Sequence, residues 1–280
     1  MKNIVINILL VTSILLASCT DVIDIDVPYA GPKLVVEASL DWQKGTVGNT
    51  QTIKLSELQP YFDDTTPYIV TGASVKVTND SNGRVAHFID QDNGDYVTSE
   101  FIPVVDQSYT LEVVYNGITF AAREILTPVV TIDLVNQSME NGFDPNVIEV
   151  NIFFKDPLEE ENYYLTIFQE RKELLPTLLD ISDEFTNGNE MRIFYEKFTN
   201  EESGEKELQP GDIVDIELYG ISKTYFNYIR LLIEQNNDGG PFSTIPASLR
   251  GNCINIIDPD DYALGYFRLT EVDKRTYVVE

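Results

Sequence analysis

The chain has 280 residues, with 46 aspartates and glutamates against 19 lysines and arginines, a formal net charge of −27 at pH 7. A polyanion of this size is repelled by phosphate backbones and anionic headgroups, which excludes nucleic acid as a partner and electrostatic adsorption as a route to a membrane. Its 43% hydrophobic residues, with 15 Tyr and 14 Phe, supply enough apolar side chain for a sizeable core and argue against disorder.

Residues 1–18 divide as a secretory signal does. Lys2 and the amino terminus carry positive charge, residues 4–16 are apolar, and Ala17 and Ser18 are small. The apolar run is shorter than the roughly 20 residues of a membrane-spanning helix, and Thr20 and Asp21 follow at once. Leu16-Ala17-Ser18-Cys19 is similar to a bacterial lipobox. That resemblance implies diacylglyceration of the Cys19 sulfur, cleavage after Ser18 and acylation of the new amino group. Two or more acyl chains hold a protein on a bilayer where one binds only marginally, so Cys19 is expected to be a lipid anchor and not a catalyst. Removing 18 residues from 280 leaves 262, which suggests two domains. Cys253 is then the one cysteine left to pair, so no intrachain disulfide is available and stability must come from packing.

Residues 19–32 place Asp21, Asp24 and Asp26 ahead of Pro28, Gly31 and Pro32 and read as an acidic tether. Acidic residues close behind the cysteine suit export to the cell surface, but adjacent acids are missing, so the periplasmic and outward faces both stay open. From residue 33 the pattern is that of strands, with alternation and β-branched enrichment over 34–40, 52–58, 73–78, 85–89, 109–115 and 118–125. Asn116-Gly117 marks a tight hairpin, and Asp92-Asn93-Gly94-Asp95 a turn. Short strands at this spacing predict a sandwich over 33–128. Gly94 and Tyr96 ahead of Tyr109-Thr110-Leu111-Glu112-Val113 resemble the immunoglobulin-like or transthyretin-like modules of bacterial surface proteins.

Thr127-Pro128 interrupts the pattern, and a second, mainly-β domain is expected over 129–280. Strands are predicted from residue 131 to 135 and over 147–154, 163–169, 191–198, 213–219 and 263–279. One helix is expected at about 222–236, with Ser222 as N-cap, Tyr225, Ile229 and Leu232 on one face, and Phe226 and Ile233 widening it. Residues 171–180 suit a further short helix, limited by Pro176. The fold class expected is therefore all-β, an immunoglobulin-like or transthyretin-like sandwich followed by a mainly-β domain with one packed helix.

The lipobox cysteine and acidic tether are followed by Lys33-Leu34-Val35-Val36-Glu37-Ala38, Asp156-Pro157 with Asn162-Tyr163-Tyr164, and Gly211-Asp212 before the aromatic helix. Then come Asp238-Gly239-Gly240-Pro241-Phe242, Gly251-Asn252-Cys253-Ile254-Asn255 and Ala263-Leu264-Gly265-Tyr266-Phe267. This order resembles a Bacteroidota outer-membrane lipoprotein family of unknown function, the domain of unknown function 4249, over nearly the whole mature chain. The resemblance implies an outer-membrane location and, because members are commonly encoded beside TonB-dependent nutrient receptors, an accessory role next to such a receptor. It brings no reaction. Read from the residues alone, the motif glycines permit close backbone approach, and Tyr266 and Phe267 are expected in a core.

Enzymatic signatures are thin. His87, the single histidine, lies in a strand-like run and supports neither a triad nor a histidine-rich metal site. No nucleophile elbow, phosphate-binding loop or Cys-x-x-Cys pair occurs. Asp90-Gln91-Asp92-Asn93-Gly94-Asp95 offers oxygen ligands for calcium, but its glycine falls one place early for an EF-hand loop and no glutamate closes it, so a hairpin turn is the expectation. Glu159-Glu160-Glu161 and Asn200-Glu201-Glu202 read as solvated loops. The chain is expected to be a non-enzyme without cofactor or metal, anchored at Cys19 and assisting a TonB-dependent receptor. A surface glycan-binding lipoprotein, using aromatic platforms in a chain with only Trp42 as tryptophan, is the second expectation, and a hydrolase with an acid pair the third.

Overall fold

Alternation of one buried and one exposed side chain builds seven strands of a first sandwich. They are β1 (Leu34–Gln43), β2 (Gln51–Glu57), β3 (Ser74–Asn79), β4 (Val85–Asp90), β5 (Asp95–Thr98), β6 (Ser108–Tyr115) and β7 (Ile118–Ile125). The computed structural model describes residues 33–58, 68–158, 160–199, 206–237 and 249–280. Cys19, the signal and the tether lie outside them. The strands pair antiparallel in the order β1-β2-β5-β4-β3-β6-β7. Val36 and Leu40 of β1, Ile53 and Leu55 of β2, Val75 and Val77 of β3, and Leu111 and Val113 of β6 all enter one core. The sheet therefore folds over at β4 to enclose it, and each fully buried Leu or Val contributes roughly 1.5–3 kcal/mol.

Two tyrosines fix the loops of this sandwich. The Tyr96 hydroxyl donates to the Val70 carbonyl at 3.1 Å and accepts from the Ala73 N–H at 3.1 Å. At the start of β6, the Tyr109 hydroxyl donates to Ile102 O and accepts from Val104 N, both at 2.9 Å, as the tyrosine corner of immunoglobulin-like domains does. The expected tight hairpin is present, with Asn116 at φ +50° and Gly117 at φ +79°, the positive pair that a type I′ turn requires.

The second sandwich sets a three-stranded sheet against four strands. β8 (Leu134–Ser138), β9 (Glu149–Lys155) and β12 (Glu190–Glu196) form the first sheet, in the order β12-β9-β8. β10 (Tyr163–Glu170), β11 (Thr177–Ser182) and β13 (Ile213–Ile221) join the C-terminal β15 (Leu264–Val278) in the order β11-β10-β13-β15. Ile152, Phe154, Phe168, Ile193, Ile216 and Leu218 fill the space between the layers. The single described helix, α1 (Lys223–Asn237), covers the outer face of the four-stranded layer. A two-residue strand, β14 (Ile254–Asn255), edges β7. The fold is all-β, as expected.

The Tyr225 N–H donates to Ser222 Oγ at 3.2 Å, so Ser222 is the N-cap. Tyr225, Phe226 and Ile229 are buried, whereas Leu232, expected on the same face, is 42% exposed. The packed stripe runs through 225, 226, 229 and the partly buried 233, all of them expected, with Leu232 alone outside it, and Tyr163 packs on Phe226 with ring centroids 4.9 Å apart. Residues 171–180 are not helical. They turn and enter β11, in which Leu178 packs toward α1 and Leu179 and Ile181 toward the inner core. With apolar partners on both sides of the sheet, this short run gains more as a strand than as a helix that begins with Pro176 in its second turn.

β15 belongs to both sandwiches. Its first nine residues run parallel to β1, from Val35↔Leu264 to Gln43↔Val272, and its last seven run antiparallel to β13, from Tyr219↔Val272 to Ile213↔Val278. Gly265 lies so close to β1 that a Cβ there would stand 2.2 Å from Val36 O, and its φ is +81°. Gly265→Ala is expected to destabilise the protein by about 3 kcal/mol, through clash and strain together. Gly83→Ala, where a Cβ meets nothing within 4 Å and only φ +71° resists, is expected to cost about 1 kcal/mol. Urea unfolding midpoints check the ranking, and equal losses would contradict the close approach.

Candidate functional site: two grooves

A first groove, about 610 Å³, opens where the sandwiches meet and is lined by Ser108, Arg123, Glu124, Ile125, Ser222, Thr224, Asn252 and Tyr266. β7 supplies Glu124, the α1 N-terminus Ser222 and Thr224, and β15 Tyr266. Asn252 is held like a strand residue: its Oδ1 accepts the Phe267 N–H at 2.8 Å and its Nδ2 donates to Phe267 O at 2.7 Å. The same amide nitrogen also lies 3.3 Å from Glu124 Oε1. Gly251 permits this, since a Cβ there would fall 1.5 Å from Gly265 O. The motif residues 251–253 and 263–267 are thus brought together, with the Cys253 thiol buried and pushed up to about 12 by desolvation.

Glu124 is the polar centre of this groove. Its Oε1 accepts hydrogen bonds from Tyr266 Oη at 2.8 Å and Thr224 Oγ1 at 3.4 Å. Burial raises its pKa, against the hydrogen bonds from Tyr266, Ser222, Asn252 and Thr224 that lower it. Arg123 beside it points to Asp80, donating from Nε at 2.8 Å, and among the described residues no cation pairs with Glu124 to offset the desolvation. One carboxyl among neutral hydroxyl and amide groups suits a polar uncharged ligand. The groove lining holds no second carboxylate to complete an acid pair.

A second groove, about 370 Å³, runs between β11 and β12 and is lined by Leu179, Asp180, Ile181, Arg192, Phe194 and Glu196 among others. β11 and β12 are the outermost strands of their sheets among the described residues. Phe143 stands at the rim, 81% exposed, its ring centroid 5.3 Å from that of Phe194. The Glu196 carboxylate accepts the Phe143 and Asp144 backbone N–H groups at 2.6 and 2.9 Å, fixing the loop that carries Phe143. Arg192 pairs with the buried Glu149 at 2.8 Å and lies over the Phe194 ring. Leu174, Leu175 and Phe185, flanking β11 in the chain, are 92%, 77% and 90% exposed.

Cys19, Glu159, Glu201, Glu202 and residues 238–242 lie outside the described residues. His87 is exposed on β4 opposite Lys76 and lines neither groove. The acidic run at 90–95 is a hairpin turn: Asp90 accepts the Gly72 and Asp92 N–H groups at 2.5 and 2.8 Å, and Asn93 Oδ1 accepts the Asp95 N–H at 3.0 Å. Glu161 pairs with Lys223 at 3.1 Å on the surface. Trp42 donates to Thr46 O and is covered by Gly48, where a Cβ would meet its ring at 2.4 Å. Tyr266 and Phe267 are buried as expected. Glu124 and the β11–β12 groove were not singled out, because nothing local distinguishes one acid of 46 or marks an edge strand.

A carboxyl whose folded pKa is raised is favoured by the fold when protonated, so its contribution is lost as pH climbs from the ordinary glutamate value through the raised one. Glu124→Gln keeps an acceptor for Tyr266 and removes the charge. Its stability relative to the parent protein is expected to rise with pH between about 4.5 and neutrality. Chemical unfolding across that window measures the difference, and a pH-independent offset would rule the explanation out.

Similar solved structures include a two-domain fibronectin type III segment of chicken tenascin, at 13% identity and TM-score 0.22, covering 68% of this chain and 90% of that one. A cytokine receptor complex aligns at 10% identity and TM-score 0.27, covering 69% and 86%. A DUF4785 family protein of Legionella pneumophila aligns at 13% identity and TM-score 0.27, covering 67% and 52%. No curated protein matches. Residues 20–276 match the family described as a domain of unknown function, DUF4249, over both sandwiches and both grooves, and the chain belongs to that family.

Proposed function

We propose that this chain is an outer-membrane lipoprotein, anchored by acyl chains on Cys19, that acts without catalysis as an accessory partner of a TonB-dependent nutrient receptor. The groove between β11 and β12 carries this reading. Two strands that are outermost in their sheets among the described residues flank an apolar trough, and an extended segment of another protein can add a strand there while its side chains fill the trough. The lipobox-like sequence supports the anchor, and the placement beside a receptor rests on what members of the family are commonly encoded with. The single carboxyl in the junction groove favours binding over hydrolysis.

Glycan binding is the second reading, and Phe143 favours it. An exposed ring beside Arg192, Asp180 and Glu196 offers a stacking face with polar groups around it. Trp42, tied down by Thr46 and Gly48, is unsuited to that role.

Cys19→Ala is expected to move the protein from the membrane to the soluble fraction and to abolish labelled palmitate incorporation, and unchanged fractionation would refute the anchor. Phe143→Asp, at an exposed position, is expected to leave membrane retention intact and cut recovery of a TonB-dependent receptor in affinity purification by tenfold or more, about 1.4 kcal/mol. Undiminished recovery would exclude the groove as the docking face. Glycan-array binding that Phe143→Asp abolishes, with no receptor recovered by either protein, would select the second reading.

A further inference from the structure

β11 shows different chemistry on its two faces, and its register with β10 tells which is which. Thr177 stands opposite Phe168, Leu179 opposite Thr166 and Ile181 opposite Tyr164, while Leu178, Asp180 and Ser182 stand opposite Ile167, Leu165 and Tyr163. Phe168 and Tyr164 belong to the inner core, whereas Ile167, Leu165 and Tyr163 pack under α1. Residues paired across two strands share a face. Thr177, Leu179 and Ile181 therefore look into the sandwich, and Leu178, Asp180 and Ser182 toward the α1 side. Leu179 and Ile181 are only partly buried, while Ile193 and Tyr195 on β12 are 4% and 7% exposed. An added strand has apolar surface left to cover beside β11 and little beside β12.

The charge around this edge is negative. Asp180 lines the groove and forms no ion pair among the described residues. Glu184, just beyond β11, and Glu190, which opens β12, are exposed and add two further acids. Arg192 is the one base in the lining, and Glu149 holds it at 2.8 Å. With a formal net charge of −27 on the whole chain, this edge attracts cationic segments and repels anionic ones.

We infer, resting on the docking role proposed above for this groove, that its partner is an extended polypeptide segment in which apolar residues alternate with lysine or arginine. A strand laid along β11 alternates between the same two faces. Its inward residues meet Leu179 and Ile181 and gain by being apolar. A residue directly beside Asp180 on the other face stands about 5 Å from it between Cβ atoms, where opposite charges attract and like charges repel. An entirely apolar segment would desolvate Asp180 without giving it a partner. A second copy of this chain fits poorly, because its own β11 would bring one Asp180 toward another.

The test uses the full chain and fluorescein-labelled peptides read by fluorescence anisotropy. Val-Lys-Val-Lys-Val-Lys-Val is expected to bind saturably and about tenfold or more tightly than three controls: glutamate in place of lysine, the same residues in block order, and methylated backbone nitrogens that cannot donate to a strand. Asp180→Lys is expected to weaken the lysine peptide by about fivefold or more and to strengthen the glutamate peptide. Glu100→Lys, the same charge change at an exposed position of the first sandwich, is expected to leave the ratio between the two peptides nearly unchanged. The three controls on the parent protein decide the matter should Asp180→Lys fail to fold. No binding by the parent protein, equal binding of any control peptide, or equal shifts in Asp180→Lys and Glu100→Lys would overturn the inference. No receptor enters this measurement. A protein that recovers a receptor but shows no peptide preference loses this inference alone, and one that selects the peptide but recovers no receptor loses only the accessory role.

Discussion

The structure depends on one strand having two sets of partners. β15 continues the first sandwich beside β1 and then, without a break, the second beside β13. The chain can cross between sandwiches there only if the crossing segment, residues 127–132, finds partners for its own backbone. Thr127 supplies part of the answer: its N–H donates to Leu269 O and its carbonyl accepts from Glu271 N. Side chains of β15 supply the rest. Glu271 Oε2 accepts the Val129 N–H at 3.0 Å and Asp273 Oδ2 the Ile132 N–H at 2.7 Å. Lys44 and Arg275 neutralise those two acids. Gly220 completes the crossing, because a Cβ there would sit 1.9 Å from Pro128 O.

Glu149, Asp156, Glu170, Asp183, Glu271 and Asp273 are buried, and four of these six acids have a basic partner. Glu149 has Arg192, and Glu170 has Lys197 with the Tyr195 hydroxyl at 2.8 Å. On the basic side, buried Arg268 pairs with Asp41 through both carboxylate oxygens at 3.0 Å and lies over the Tyr219 and Tyr225 rings. That contact ties β1, β13 and α1 to β15. Removing one partner of such a pair leaves an uncompensated charge, so these acids belong to the scaffold. Among the described residues, Glu124, Asp156 and Asp183 have no such ion pair. They mark the junction groove and the end of the second sandwich.

Sequence periodicity made most strands legible because each sandwich strand has one wet face and one dry face, and a period of two is what that environment selects. The runs that failed to show it lacked the contrast. In β11 both faces are half covered, by α1 on one side and the inner core on the other, so residues 171–180 lack the period of two that marks a strand. Strand β5 is only four residues long, and β14 only two. The residues of β15 were legible as strand, but its parallel partnership with β1 joins positions more than 220 apart. No local pattern encodes that. The sites were illegible for the same reason. Glu124 meets Tyr266 across 142 residues, and the edge groove joins strands of two different sheets, so neither exists until the sandwiches have folded.

The edge groove and the end of the second sandwich are mechanically joined. Asp180 and Ile181 line the groove, Ser182 ends β11, and Asp183 is the next residue. An edge strand has ladder hydrogen bonds on one side only, so its position depends strongly on what holds its ends. At its start, Pro176 restricts the backbone, and Lys197 and Gln169 hold Glu173 in the preceding turn. At its other end the bonds between Asp183, Asn162 and Thr186 do the same. Whatever fixes the turn at residues 183–186 therefore also fixes the wall of the groove. A partner that adds a strand to β11 would in turn hold the turn at Asp183 in place.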